Sequence, residues 1–287
     1  MLLLRPDEKN IAVVVNPVAG SGRGETVGRK VVQYLIQHNI LHTLFIDPWP
    51  ADFQEFTDVW LVGGDGTANG FFNRYPELQL PVTLFMGGSG NDLYRAMHGK
   101  RTLEEIIEVG LHQPPRRMDA GVCNNRIFLN ALGIGFDGSV ARLTLPTKRW
   151  RGVRSYFYYI IRQVFCYRSV PYKLQADAYS FDGKLFMINF MNGEFQGGGY
   201  QVTPGAKLDD GLFQLLVIRP ISIFKRLRYL LLVLKGAHLN LDVVDYKAVT
   251  QLQLSSTSLI EAHIDGEFIT GYQFTVKVLP GKFLFRY

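Results

Sequence analysis

The sequence predicts two domains, a parallel α/β fold followed by a β-sandwich or barrel. Three observations predict it. Up to about residue 120, apolar runs of strand length alternate with helical stretches, the pattern of a parallel sheet with helical crossovers. From Asp119 onward, short apolar or alternating runs follow one another, the pattern of an all-β domain. At 287 residues, 47% of them hydrophobic, the chain is too long for one small core and too apolar for disorder.

In the first domain, residues 1–120, the apolar, β-branched run IAVVVNP (11–17) reads as a strand and GETVGRKVVQYLIQHN (24–39) as a helix. VWLVGG (59–64) and PVTLFMGG (81–88) read as strands, a helix is expected soon after Thr67, and TLEEIIEVGL (102–111) reads as another. In the second domain, residues 121–287, strands are expected in RIFLNALGIGF (126–136), LFMINFMNG (185–193), LFQLLVIRP (212–220), VTQLQLSS (249–256), LIEAHIDGE (259–267) and QFTVKVLP (273–280). Helices near 154–168 and 224–237 interrupt them, and there is no internal repeat.

The net charge of +6 is unevenly placed. No acidic residue occurs between Asp137 and Asp177, where Arg142, Arg149, Arg151, Arg154 and Arg162 lie, nor from Leu212 to Asn240, which holds Lys225, Arg226, Arg228 and Lys235. Such an excess implies an anionic partner, either nucleic acid or a membrane surface. Cys123 and Cys166 form no C-x-x-C pair, so nothing suggests a disulfide framework or a zinc site, and both are expected to be buried thiols. No apolar run reaches the roughly 18 residues that cross a bilayer, and MLLLRPDEKN is too short an apolar start for a signal peptide. The expected location is the cytoplasm.

Three glycine-rich loops follow strands in the first domain. NPVAGSGRG (16–24) has the form of a phosphate cradle, with backbone N–H groups free where a helix begins. It fits neither G-x-x-x-x-G-K-[ST] nor G-x-G-x-x-G, because Glu25 stands where each needs another residue. The other loops are GGDGT (63–67) and GGSGND (87–92). Singly, each reads equally as a tight strand-to-helix connection. Together, as loops at the carboxyl ends of neighbouring strands, they are expected to meet around one ligand. Asp65 suits a hydrated Mg²⁺ or a nucleotide hydroxyl, and glycine N–H groups suit phosphate oxygens. Asp92 belongs either to this site or to the N-cap of the helix LYRAM.

GGDGT, with NPVAGSG upstream and GSGND downstream, resembles the diacylglycerol kinase catalytic family, which includes bacterial lipid kinases, sphingosine kinases and ceramide kinases. FLNALGIGFDGSVA (128–141), GGGYQVTPGAKLDDGLFQLLVI (197–218) and HIDGE (263–267) match the family's later motifs in order. The resemblance implies a phosphofructokinase-like α/β nucleotide-binding domain, then a β-sandwich domain, with ATP in the cleft between them. The implied activity is ATP- and Mg²⁺-dependent transfer of the γ-phosphoryl group to the hydroxyl of a diacylglycerol-like lipid.

By that resemblance Asn16, Pro17, Gly20, Ser21 and Gly22, with Gly63, Gly64, Asp65, Gly66 and Thr67, hold the nucleotide, and Ser89, Asn91 and Asp92 approach from the third strand. KLDDG is expected to bind a structural Mg²⁺ through Asp210, with Asp209 a further candidate, and through the carbonyls of Lys207 and Leu212. Taken alone, it reads as an aspartate-rich turn. Asp265 and Glu267 lie two apart, so on an extended backbone both carboxylates point to one side, although D-G-E in isolation reads as a hairpin turn. The resemblance makes this motif the source of the general base. Both carboxylates are expected to be needed for catalysis, with Asp65, and Glu267 is placed ahead of Asp265 as acceptor.

The chain departs from the family pattern in three places. Gly70 stands where members commonly carry a glutamate, Ser89 stands where threonine is usual, and Thr43 and Asp47 are both candidates for the family's nucleotide contact near the end of the second strand. The basic stretches, mixed with Trp150, Tyr156, Phe157, Tyr158 and Tyr159, suit peripheral contact with an anionic bilayer. Alternatively, the aromatic rings pack on the sandwich. A groove in the second domain is expected to take acyl chains, and a homodimer is compatible with the sequence. No nucleic-acid motif appears, and neither G-x-S-x-G nor H-E-x-x-H is present. The remaining rivals are a catalytically silent relative that binds nucleotide or lipid, and an NAD kinase-like enzyme.

Overall fold

The computed structural model of the protein describes residue 5, residues 8–144 and residues 153–287. Trp150, Arg149 and Arg151 lie outside the described residues, as do the side chains of Arg154 and Tyr156. The chain forms two compact units, one of residues 1–118 with 281–287 and one of residues 119–280. The division at 118/119 lies beside the sequence boundary at 120/121; the return of the last residues to the first unit has no sequence signal.

The first unit alternates strands and helices. β1 (Asn10–Val15), α1 (Arg23–Gln37), β2 (Leu41–Phe45), β3 (Asp58–Gly63), α2 (Asp65–Arg74), β4 (Val82–Met86), α3 (Asp92–His98) and α4 (Leu103–His112) follow in order. The strands are parallel in the order β2-β1-β3-β4. Strands buried on both faces carry unbroken apolar runs, as β1 does from Ile11 to Val15. Helix α1 packs Val31 and Leu35 onto Ile11, Val13 and Val15 of β1, together with Trp60 and Phe85. Thr102 and Glu105 close a capping box that starts α4. β2 was not among the strands read from apolar runs and was implied only by the family resemblance, since Leu41 and Leu44 are exposed and LHTLF has no buried run.

The chain's end completes this unit. Phe283 and Phe285 pack on Phe72 with centroids 4.3 and 5.2 Å apart, and Phe285 pairs in parallel with Val82. Arg286 and Lys9 both bond the carboxylate of Asp58, at 2.7 and 3.1 Å, with all three side chains buried.

β5 (Arg116–Cys123) leads into the second unit. There follow β6 (Arg126–Phe128), β7 (Ala131–Gly135), α5 (Phe136–Thr144), α6 (Val153–Cys166), β8 (Val170–Ala176), β9 (Tyr179–Leu185), β10 (Met187–Met191), β11 (Phe195–Gln196), β12 (Tyr200–Gln201), β13 (Phe213–Ile218), α7 (Ile223–Leu234), β14 (Val244–Val249), β15 (Gln251–Ile264) and β16 (Glu267–Phe285). β14, β13, β10 and β7 pair antiparallel in that order and continue into the second half of β15. The first half of β15 pairs with β8, and the register shifts between Ser255 and Ile260. That irregularity bends β15 so that it serves both layers of a sandwich. Leu132, Phe190 and Leu215 from one layer meet Leu174, Leu252 and Phe274 from the other in the shared core.

Strand alternation gives the first layer a second apolar face. Met187, Met191, Leu216 and Ile218 point to it and are covered by Phe136 of α5, Ile160 and Val164 of α6, and Tyr229 and Val233 of α7. Helices α6 and α7 match the expected positions. Helix α5 was not foreseen: it is short, and Gly138 within it lies so close to β15 that a Cβ would meet the Glu261 carbonyl oxygen at 2.1 Å. Glycine at this contact hides the helix from propensity. Cys123 is buried as expected, but Cys166 is exposed. Ile160 and Val164 set the inward face of α6, and Cys166 falls off its centre by about 140°.

Candidate active site

The strand order places β1 between β2 and β3, so the chain leaves the sheet in opposite directions on either side of β1. That point is where parallel α/β sheets open a crevice at their carboxyl ends. The three glycine loops meet there. A Cβ on Gly20 of the first loop would stand 2.3 Å from the Gly87 carbonyl oxygen of the third. A Cβ on Gly88 would stand 2.5 Å from Cα of Gly64 in the second. Backbone therefore packs against backbone, and only glycine allows that approach. The Gly87 N–H donates to the Gly63 carbonyl at 2.7 Å.

In the first loop Gly20, Ser21 and Gly22 take successive positive φ values of 55, 59 and 96°, backbone of the kind that forms anion-binding concavities. Asn16, with Pro17 after it, directly follows β1; its Nδ2 donates to Oγ1 of Thr67 at 2.9 Å, and its Oδ1 accepts the Val18 N–H. Gly66 and Gly22 have open space where a Cβ would project, and Ser89 is exposed. These open positions lie at the starts of α1 and α2, where backbone N–H groups have no partner within the helix.

Asp65 is the first residue of α2, and its carboxylate accepts the N–H groups of Asp92 and Leu93 at 3.0 and 3.1 Å. Desolvation pushes its carboxyl above the usual range, against the pull of these amides, that of Asn91, and Arg95. Asp92 is therefore not the N-cap of α3. Asn91 holds that position with φ 54°, and Asp65 satisfies the helix amides from across the site. The Asn91 side chain closes the third loop on itself, accepting the Gly88 N–H at 2.9 Å and donating to the Gly88 carbonyl at 2.8 Å.

In the second unit, Ile264 pairs with Glu267, so Asp265 and Gly266 form a two-residue hairpin turn with φ of 47 and 87°. The backbone is not extended here, and the two carboxylates have separate surroundings. Asp265 accepts the N–H groups of Leu129, Asn130 and Ala131 at 2.8, 3.0 and 2.9 Å. Glu267 is half exposed and pairs with Arg126.

Asp209 and Asp210 are exposed in the KLDDG loop, where Oδ1 of Asp210 accepts the Leu212 N–H at 3.0 Å. The loop is pinned from beneath: buried Asp119 accepts the Gly211 N–H at 2.7 Å and donates its own N–H to the Leu208 carbonyl. Among the described residues no three His, Cys, Asp or Glu side chains cluster as metal ligands. The expected donors here, Asp210 and the Lys207 and Leu212 carbonyls, are all oxygens, the hard type that Mg²⁺ takes.

Beneath α5, α6 and α7 lies an apolar cavity of about 80 Å³, walled by Ile160, Val164, Met187, Tyr229, Leu230 and Val233 among others. Its polar end is Asp137 and Gln196. Oδ2 of Asp137 accepts from Asn189 at 2.6 Å and from Gln196 at 2.8 Å, and Gln196 lies 3.2 Å from the buried His263. Desolvation lowers the His263 pKa, with Asp137 opposing.

Two family descriptions cover most of the chain. "Diacylglycerol kinase catalytic domain" matches residues 10–123, and "YegS C-terminal NAD kinase beta sandwich-like domain" matches residues 130–285. The chain belongs to the diacylglycerol kinase family. It is 29% identical over 224 residues to "Probable lipid kinase YegS-like" of Chromohalobacter salexigens, covering 76% of this chain and 72% of that one. It is 26% identical over 248 residues to the diacylglycerol kinase of Bacillus subtilis, covering 83% and 77%. The fold is shared with a diacylglycerol kinase structure from Bacillus anthracis, with a TM-score of 0.71 at 19% identity and 97% of each chain covered. An ATP complex of an NAD kinase from Archaeoglobus fulgidus aligns with a TM-score of 0.55 at 13% identity, over 96% of this chain and 93% of that one.

Within this diacylglycerol kinase relative, Gly70 is exposed on α2 with nothing near its Cβ direction, so crowding does not explain the absent glutamate. Thr43 and Asp47 are both exposed. Sequence reasoning missed Asn192, which is fully buried and donates through Nδ2 to the carbonyls of Asp119 and Leu129 at 2.9 and 3.0 Å. It thereby ties the KLDDG loop's anchor to the loop that holds Asp265. It also missed Asp137, Asn189, Gln196 and His263. The signal for one of these was a lone polar residue in an apolar strand, Asn189 in MINFM.

Proposed function

We propose that the protein is an ATP- and Mg²⁺-dependent lipid kinase that transfers the γ-phosphoryl group of ATP to the hydroxyl of a diacylglycerol-like lipid, working peripherally at a membrane surface. The observation that carries the reading is the backbone-to-backbone meeting of three glycine loops at the carboxyl edge of a parallel sheet, in a chain of this family. Phosphoryl transfer asks a protein chiefly for positioning and charge stabilisation. The Gly20–Gly22 loop and the amides beginning α1 and α2 would cradle phosphate oxygens, while Asp65 and Asn91 hold the third loop in place.

In the reaction the lipid hydroxyl oxygen attacks the γ-phosphorus, the bond to the β–γ bridging oxygen breaks, ADP leaves, and the hydroxyl proton passes to a carboxylate. Glu267 suits the acceptor role, since its carboxylate is solvent-accessible and held by a side chain alone. Both oxygens of Asp265 are taken by backbone amides, which suits a residue that fixes the turn carrying Glu267. Mg²⁺ carried with ATP would neutralise phosphate charge, while Asp210 and the carbonyls of Lys207 and Leu212 would hold a separate, structural Mg²⁺. The cavity that holds Asp137 and Gln196 has the polarity a lipid needs, apolar walls for hydrocarbon and hydrogen-bonding groups for a headgroup, and would have to widen to admit an acyl chain.

The test is transfer of labelled γ-phosphate from Mg·ATP into diacylglycerol, other glycerolipid alcohols and a sphingoid base in mixed micelles. Label in one lipid class, lost in Glu267→Gln, is expected. ATP binding without label in any lipid would overturn the kinase reading in favour of a silent relative.

A further inference from the structure

Helix α7 carries two apolar faces, and among the described residues only one is covered. Arg226, Tyr229, Leu230 and Val233 line the cavity. On the other side Phe224 is 87% exposed, Leu231 63%, Leu234 44% and Leu227 36%. At 3.6 residues per turn, these four fall within an arc of about 80°. Arg228 and Lys235 border that arc, with Lys225 beyond them, and all three cations are exposed. Core packing cannot explain the outer stripe, because the helix already buries its opposite side. Helix α6 adds exposed Phe157, Tyr158 and Phe165. Arg226 ties the two helices together, donating to the carbonyls of Val164 and Tyr167 at 2.8 and 2.9 Å.

We propose that the outer face of α7 is the docking surface of this protein for an anionic lipid bilayer, with Phe224, Leu227, Leu231 and Leu234 entering the interface and Lys225, Arg228 and Lys235 meeting lipid phosphates. This rests on the lipid-kinase reading and deepens it. Charge complementarity decides the occupant. No acidic residue occurs from Leu212 to Asn240, so a self-complementary contact between two copies would set these cations against one another. A bilayer rewards both halves of the stripe, since apolar side chains leave water and each cation near an anionic leaflet contributes about 1 kcal/mol. Nucleic acid would engage the cations alone and leave Phe224 in water. Docking through α7 also places the membrane against the helix that walls the cavity, so a lipid leaving the bilayer would meet the cavity's own wall residues.

Flotation of the full chain with vesicles tests this. Probes are phosphatidylcholine alone and phosphatidylcholine mixed with phosphatidylglycerol. Wild type should float with the mixed vesicles, less with the neutral ones, and less as salt rises. The pairs Phe224→Ser with Leu231→Ser, and Lys225→Glu with Arg228→Glu, should each raise the lipid concentration for half-binding by at least about tenfold. Melting temperatures should stay unchanged, because all four side chains face solvent. The proposal is overturned if both pairs float like wild type, if wild type ignores phosphatidylglycerol, or if wild type is a dimer that the Phe224→Ser, Leu231→Ser pair converts to monomer without changing flotation. The readout needs no turnover. Vesicle binding without phosphate transfer would count against the kinase reading alone, and transfer by a wild type that does not float would count against docking alone.

Discussion

Asp65 accepts the backbone N–H of Asp92 at 3.0 Å, so a residue of the second glycine loop holds the start of the helix that follows the third. The contact gives Asp65 a structural duty besides any role toward nucleotide. Asp65→Ala leaves two helix amides without their acceptor, and should cost about 1–2 kcal/mol of stability while abolishing transfer. Asp65→Asn keeps one acceptor oxygen and should recover part of the stability. Urea unfolding with labelled-phosphate assays reads both quantities; if neither variant changes the unfolding midpoint, the bracing role is wrong.

Glu267 and Asp265 should separate in the same pair of measurements. Glu267→Gln removes an exposed ion pair with Arg126, a loss of about 0–1 kcal/mol, yet should lower kcat by about 10²- to 10⁴-fold if it takes the proton. Asp265→Asn turns an amide group toward backbone N–H donors that need acceptors, and should cost about 1–3 kcal/mol. Activity lost in Asp265→Asn with unchanged stability would instead give Asp265 the chemical role.

Gly70 offers a stabilising change. It lies in α2 with open space around its Cβ direction, so Gly70→Ala should raise stability by about 0.5–1 kcal/mol, seen as a higher melting temperature. Gly70→Glu restores the residue common in the family and should lower the KM for Mg·ATP if nucleotide contact is what the glycine forgoes. An unchanged KM would show that this chain does without that contact.

Acid should unfold the protein through its buried histidines. Burial pulls the His98 pKa down to about 3, Arg101 adding to the effect, and also lowers those of His238 and His263. The unfolded chain binds these protons below about pH 6.5 and the folded chain does not, so stability is full above that pH and falls as pH drops. For His98 the decline continues to about pH 3, approaching 1.4 kcal/mol per pH unit. Asp65, shifted upward, works in the opposite direction above its ordinary value of 3.8, because as pH falls its folded form takes up a proton before the unfolded chain does. Comparing wild type with His98→Leu isolates one group: the variant should show a shallower loss of stability between pH 6.5 and 4.5, and parallel curves would refute the assignment.

Much of the site was legible because its constraints are local. Glycines at 20, 63, 64, 87 and 88 announce close backbone contact wherever strands end, and an ordered set of such loops is rare enough to name a family. What was not legible depends on partners far along the chain. Whether D-G-E is extended or turned is settled by the pairing of Ile264 with Glu267 and by the three amides of residues 129–131. Helix α5 escaped notice because Gly138, a poor helix former, is required by contact with β15.

The sequence by itself determined the two-domain α/β and β order, the strand-end glycine loops and the excess of positive charge, because periodicity, turn chemistry and net charge are properties of neighbouring residues. The tertiary structure alone decided that Arg286 and Lys9 share Asp58, that Asn192 joins two loops, that Cys166 is exposed, and that α7 has one covered and one open apolar face. Those facts concern which distant side chains meet and which meet water, and burial is decided by what packs on a residue, not by the residue's own chemistry.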